Sequence, residues 1–200
     1  LKSGRLSPYF LNTGMLYSGR SVNRLGSFYA SAIADNVKGG YNTVFGPAYK
    51  GIPLAIAAVN ALYAEHKIDV DYAFNRKEAK DHGDKGVIVG KELGEGDSVI
   101  IVDDVITAGT AVRETLEILR AQGNPRVAGV IVSVDRMEKG TGDKSAIQEI
   151  SQATGISFHP IVTIADIIEF LQDSETSASF GIGGEMLEKM RKYREQYGVG

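Results

Sequence analysis

The sequence predicts an α/β fold with a mostly parallel central sheet covered by helices on both faces. Two observations carry that prediction. Short β-branched apolar runs alternate with amphipathic helical stretches along most of the chain, and the strongest run, residues 98–102, leads through a tight turn directly into a helix. Such alternation needs crossover connections, which parallel strands require and hairpins do not.

The elements follow in order. Leu25, Phe28, Tyr29, Ala32 and Ile33 recur at i, i+3, i+4, i+7 and i+8, so the first helix is predicted over residues 23–36. Residues 43–45 form a short strand stopped by Gly46-Pro47, and residues 52–64 read as a mostly buried helix with Pro53 in its first turn. Residues 70–74 form the next strand, which runs into a polar loop, 75–86, bearing Arg76, Lys77, Lys80 and His82. Residues 98–102 form a strand ending in Asp103-Asp104. A helix over 111–122 follows, with Val112, Leu116 and Leu119 on one face and Gly123 ending it. A strand at 127–134, a helix at 145–154, a strand at 157–161 and a helix at 164–171 continue the alternation. Residues 172–184 turn small and polar and read as a linker before a charged docking helix over 185–197. Gly181-Ile182-Gly183-Gly184 is an incomplete dinucleotide fingerprint with no strand before it, so the linker reading is preferred.

Composition narrows the chemistry. With 200 residues, 43% of them hydrophobic, the chain is long enough for one domain over 1–200 with a real core. A net charge of -3 gives no reason to expect nucleic acid or an anionic membrane as a partner. The absence of cysteine removes disulfides, thiolate zinc sites and thiol nucleophiles, and fits a cytoplasmic protein. The longest apolar run, 52–62, is interrupted by Pro53 and Asn60 and falls short of the roughly 20 residues of a membrane span. The chain opens at Leu1-Lys2-Ser3-Gly4-Arg5, without an initiator methionine or an apolar leader, which reads as a trimmed product.

The most informative stretch runs from Val99 to Ala111. A buried strand delivers two adjacent carboxylates to its carboxyl end, where open α/β sheets keep ligands, and the next turn consists of small residues. The helix that follows offers unpaired N–H groups to an anion. Thr107 to Ala111, including Ala108, Gly109 and Thr110, would cradle a phosphate there, with two hydroxyl donors. Asp103 and Asp104 would repel phosphate alone, so a phosphorylated sugar with magnesium is the better ligand. The plain alternative, that the aspartates merely end a strand and Thr110 caps a helix, stays open on these residues alone.

Val102-Asp103-Asp104-Val105-Ile106-Thr107-Ala108-Gly109-Thr110 resembles the phosphoribosyl-pyrophosphate (PRPP) signature of the type I phosphoribosyltransferases. The resemblance implies that family's fold, a mostly parallel sheet with a small hood formed by the chain ends. It implies that Asp103 and Asp104 engage the ribose 2- and 3-hydroxyls, directly or through Mg2+ and water, while Thr107 to Ala111 hold the 5-phosphate. Three further segments, 1–10, 45–53 and 74–83, resemble the orotate branch, so the resemblance covers nearly the whole chain in order.

That branch implies transfer of the phosphoribosyl group from PRPP to orotate, giving orotidine 5'-monophosphate and pyrophosphate in pyrimidine biosynthesis. It implies a helix upstream of Leu1, and a homodimer in which the 76–86 loop closes over the other subunit's site. Arg76, Lys77, Lys80 and His82 would then meet the pyrophosphate, with Lys80 the most consequential, joined by Lys50, Tyr49 and Lys2. An unusual cis bond before Tyr49 is expected. Phe10, Leu11, Thr107 and Arg136 would serve orotate, with Lys2 nearby; Leu11 stands where the branch often has a second aromatic. For Arg136 a plain salt bridge to Asp135 or Glu138 is the local alternative. His66 and His159 lack metal-ligand spacing and read as structural or exposed. Two rival functions remain: a purine or uracil phosphoribosyltransferase, or a non-catalytic PRPP sensor on the same fold.

Overall fold

The structure is a computed structural model that describes residues 4–78, 86–106, 109–140 and 142–199. Its six strands are β1 (Thr43–Phe45), β2 (Asp71–Asn75), β3 (Ile88–Gly90), β4 (Ser98–Ile106), β5 (Arg126–Asp135) and β6 (Phe158–Thr163). They form one sheet in the order β3-β2-β1-β4-β5-β6, parallel throughout except for β3, which pairs antiparallel with β2. The α-helices are α1 (Gly19–Asn36), α2 (Gly51–His66), α3 (Thr110–Ala121), α4 (Ala146–Thr154), α5 (Ile164–Phe170), α6 (Ser174–Ser179) and α7 (Gly184–Tyr197).

The period-2 alternation of β4 sorts the core into two layers. Ile100 and Val102 pack with Tyr29, Ile33, Leu54, Ala58 and Leu62 of α1 and α2. Val99 and Ile101 pack on the opposite face with Val112, Leu116 and Leu119 of α3 and Ile150 of α4. A third cluster joins Ile164, Ile168 and Leu171 to Leu187 and Met190, with Tyr9 and Met137 packed against it. This is the expected hood. Arg5 bonds the carbonyls of Lys139 at 2.8 Å and Gly140 at 3.2 Å, and Tyr9 meets Tyr193 of α7 edge to face at 5.8 Å.

Four sequence expectations change. The predicted strand 98–102 continues through Asp103 and Asp104 to Ile106, because β5 extends alongside it and pairs with Val105 and Ile106. Two ladder partners outweigh the poor strand propensity of aspartate. Residues 88–90 add a short edge strand where no element was predicted. The linker 172–184 contains α6, whose N-terminus is held by the Asp173 side chain accepting the Thr176 N–H at 2.6 Å. The first helix begins four residues earlier than predicted, at Gly19, since Ser18 and Ser21 form a reciprocal capping pair ahead of the apolar pattern.

Candidate active site

Carrying β4 through the acidic pair has a geometric consequence: adjacent strand residues face opposite sides, so the two carboxylates diverge. Asp104 follows Ile100 and Val102 toward α1 and α2, where Lys50 at the N-cap of α2 donates to its Oδ2 at 2.6 Å. The Thr13 hydroxyl donates to its Oδ1 at 2.5 Å. Asp103 follows Val99 and Ile101 toward α3, and its Oδ1 accepts the backbone N–H of Asp104 at 2.8 Å. Burial pushes the Asp103 carboxyl above the usual carboxylate range, and the neighbouring Asp104 charge adds to the rise, while the Asp104 N–H and Lys50 offset part of it.

The backbone beneath is fixed from inside the core. The buried Tyr29 hydroxyl donates to the carbonyl of Asp103 at 2.6 Å. That uses its only proton, so the Ser133 hydroxyl, 2.6 Å away, donates to Tyr29.

Gly109 sits at φ 72° as the N-cap of α3, with no side-chain cap, whereas Ser18, Ser145 and Thr163 cap α1, α4 and α5. That positive φ selects glycine, and an added Cβ would also push on the Ile150 Cδ1 methyl at 2.6 Å. Thr110, expected to cap a helix in the plain alternative, is the first helical residue instead and lies exposed with Ala111. Val105 is half-buried and Ile106 buried. Thr107 and Ala108 lie outside the described residues, as do Lys2, Lys80 and His82.

The loop between β1 and α2 folds tightly on itself. A Cβ on Gly46 would fall 2.1 Å from the carbonyl oxygen of Gly51, and one on Gly51 would fall 2.7 Å from Gly46. The Ala48–Tyr49 peptide bond is cis, as expected, and the Tyr49 ring is exposed. Buried Asn75 at the end of β2 accepts the Ala48 N–H at 3.0 Å, linking this loop to the start of the 76–86 segment. That segment is pinned at its base. The Arg76 N–H bonds Val87 O at 2.7 Å and its guanidinium bonds Gly86 O at 2.9 Å, while Lys77 is exposed.

The hood holds the remaining candidates. Arg136 is buried, donates through Nε to Glu138 at 2.8 Å and through Nη2 to Ser7 Oγ at 3.0 Å, and lies 4.4 Å from the centre of the Tyr9 ring. Glu138 is its ionic partner; Asp135, the other local alternative, instead accepts the Met137 N–H. Burial raises the Tyr9 pKa to about 12, so this ring stays a neutral phenol across the physiological range. Phe10 is 78% exposed and Leu11 half-buried on the same segment. His66 and His159 are half-buried and stand apart from the site.

The contacts made by Thr13, Asn75, Ser7 and the Tyr29 hydroxyl carried no sequence signal, because each joins separate elements. A groove of 760 Å³ runs between residues 4–8 and α7, and its lysines, Lys189 and Lys192, are paired with Glu185 and Glu188. Among the described residues no group of three or more His, Cys, Asp or Glu could hold a metal by itself. Two carboxylates, one of them already paired with Lys50, fit a magnesium ion that takes most of its oxygens from substrate and water.

Residues 12–160 match the phosphoribosyl transferase domain family. The chain is 50% identical over 199 residues to the orotate phosphoribosyltransferase of Vibrio atlanticus, covering all of this chain and 89% of that protein. With the orotate phosphoribosyltransferase of Clostridium beijerinckii it shares 48% identity over 198 residues, 99% of this chain and 88% of that one. The crystal structure of the orotate phosphoribosyltransferase from Francisella tularensis superposes with a TM-score of 0.82 at 39% identity, covering 100% of this chain and 91% of that chain.

Proposed function

The chain belongs to the orotate phosphoribosyltransferases, which transfer the 5-phosphoribosyl group of PRPP to orotate and release pyrophosphate, and we propose how its residues divide that task. The observation that carries the assignment is the acidic pair at the carboxyl end of β4, adjoining an uncapped helix start at Gly109.

Asp103 and Asp104 receive the ribose hydroxyls, directly or through magnesium and water. Val105, Ile106 and residues 107–111 form the phosphate cradle, in which Thr107, Thr110 and the first amides of α3 hold the 5-phosphate. Tyr49, Lys50, Arg76, Lys77, Lys80 and His82 serve the pyrophosphate, and Lys2 serves PRPP close to the orotate. Phe10, Leu11, Thr107 and Arg136 receive orotate. Bound magnesium would neutralise part of the pyrophosphate charge.

No protein nucleophile is needed. The ring nitrogen of orotate attacks the anomeric carbon as the bond to pyrophosphate breaks, and the electron pair leaves with the pyrophosphate oxygen. Catalysis is positioning and charge stabilisation. The enzyme acts as a cytoplasmic homodimer of single-domain subunits in which residues 76–86 serve the partner subunit's site. No helix among the described residues is long and apolar enough to cross a membrane.

Asp103→Asn tests this division. Burial raises the Asp103 pKa above its unfolded value, so its contribution to stability is fully present below the ordinary carboxylate pKa and is lost as pH rises through the raised one. At neutral pH the ionised group therefore opposes folding. Asparagine keeps the acceptor for the Asp104 N–H without the charge. Asp103→Asn is expected to raise Tm at pH 7, a gain that closes as pH falls through the carboxylate range. It is expected to lower turnover at least about a hundredfold. Retained turnover would take Asp103 out of the site.

A further inference from the structure

The carboxylate of Asp104 is reached by a side chain from a segment the motif does not contain. Thr13 opens a single 3-10 turn, Thr13–Met15, between the hood segment and α1, and the Asn12 side chain holds that turn by accepting the Gly14 N–H at 3.1 Å. Asp104 is enclosed, with a side chain 8% exposed, and among the described residues each of its oxygens has one side-chain donor: Thr13 on Oδ1 and Lys50 on Oδ2.

The two donors differ in what they can hold. Lys50 is 57% exposed at the end of a flexible four-carbon stem, and in the proposed reaction its charge is wanted by the pyrophosphate. Threonine is β-branched, so its hydroxyl has few directions to point once the turn is set. An ionised carboxylate has no proton to give, so the Thr13 hydroxyl is the donor. When Lys50 turns to the pyrophosphate, Thr13 is the side-chain contact that still fixes the rotation of the Asp104 carboxylate.

We propose that Thr13 is a positioning residue for PRPP: it holds Asp104 in a single orientation for the ribose and ties the segment bearing Phe10 and Leu11 to the sugar site. This rests on the reading of Asp104 as a ribose contact. Asp104 touches the sugar; Thr13 acts through it.

The test is calorimetric titration of PRPP with magnesium into wild type, Thr13→Val, Thr13→Ala, Thr13→Ser, Asp104→Ala and the double variant Thr13→Val/Asp104→Ala, with Tm measured on each. Removing a hydrogen bond to a charged group predicts PRPP affinity about five- to twentyfold weaker in Thr13→Val and Thr13→Ala. Thr13→Ser should restore it to within about twofold, and Tm should stay within about 2 °C across the Thr13 variants. In the Asp104→Ala background, Thr13→Val should weaken binding by less than about twofold further. Unchanged affinity in Thr13→Val overturns the proposal, as does an equal loss in the Asp104→Ala background. If Asp104→Ala alone leaves PRPP affinity intact, the ribose contact itself is wrong and the proposal falls with it; a loss in Asp104→Ala without one in Thr13→Val removes Thr13 only.

Discussion

Replacing Lys80 by alanine is expected to lower kcat about a hundredfold or more, the scale set by removing one donor aimed at developing charge. Tm should barely move. The leaving pyrophosphate gains negative charge as its bond to the sugar breaks, and in the proposed division of roles the cations of segment 76–86 meet that charge. Its base is rooted beside the loop between β1 and α2: β2 and β3 pair on either side of it, and Asn75 reaches from the end of β2 to the Ala48 amide. Lys80 itself lies outside the described residues, so kinetics must place it.

The same variant reports which site the segment serves. Mixing Lys80→Ala subunits with Asp104→Ala subunits gives dimers with one intact site if the segment acts on the partner, and random pairing would return about a quarter of wild-type activity. No rescue would place the segment over its own subunit's site. An unchanged kcat in Lys80→Ala would remove Lys80 from the mechanism.

Arg136→Ala is expected to cost about 3 kcal/mol of stability, the lower end for breaking a buried ion pair by deleting one partner. For a chain of this size that is a fall in Tm of about 6–12 °C. The guanidinium is enclosed with Glu138, whose side chain is 7% exposed, and it bonds Ser7 and covers the Tyr9 ring. Removing it leaves the buried Glu138 charge with Arg5, at 3.6 Å, as its ion-pair partner among the described residues, and loosens the N-terminal segment from the hood. Orotate binding should weaken with it, since Phe10 and Leu11 ride on that segment. Arg136→Lys should recover little, because a single ammonium cannot reproduce the fork that meets Glu138 and Ser7 together. Thermal melts and the orotate KM of both variants check this. A normal Tm for Arg136→Ala would show that the network does not hold the hood.

Where the fold was legible in the sequence, a local pattern had a local cause. The helical repeat at Leu25, Tyr29 and Ile33 and the β-branched apolar run of β4 are one-element signals, and both appear as elements. The three-residue edge strand β3 gains its identity from pairing with β2, and α6 from a cap at Asp173, so neither shows in apolar periodicity. The site divides the same way. Asp103, Asp104 and Gly109 lie within one nine-residue motif, Val102 to Thr110, whose order alone suggested the site. Thr13 meets Asp104 across 91 positions and Ser7 meets Arg136 across 129, and pairs so distant leave no mark on a single sequence. The divergence of the two aspartates was hidden for a related reason: it depends on β5 holding β4 extended past them.

Base selectivity tests the central claim most directly. Incubated with PRPP and magnesium, the protein should consume orotate, seen as loss of its absorbance, with one pyrophosphate released per orotate. Adenine, guanine and uracil should release none, and chelating the magnesium should stop the reaction. Pyrophosphate release with a purine and no loss of orotate absorbance would contradict the account.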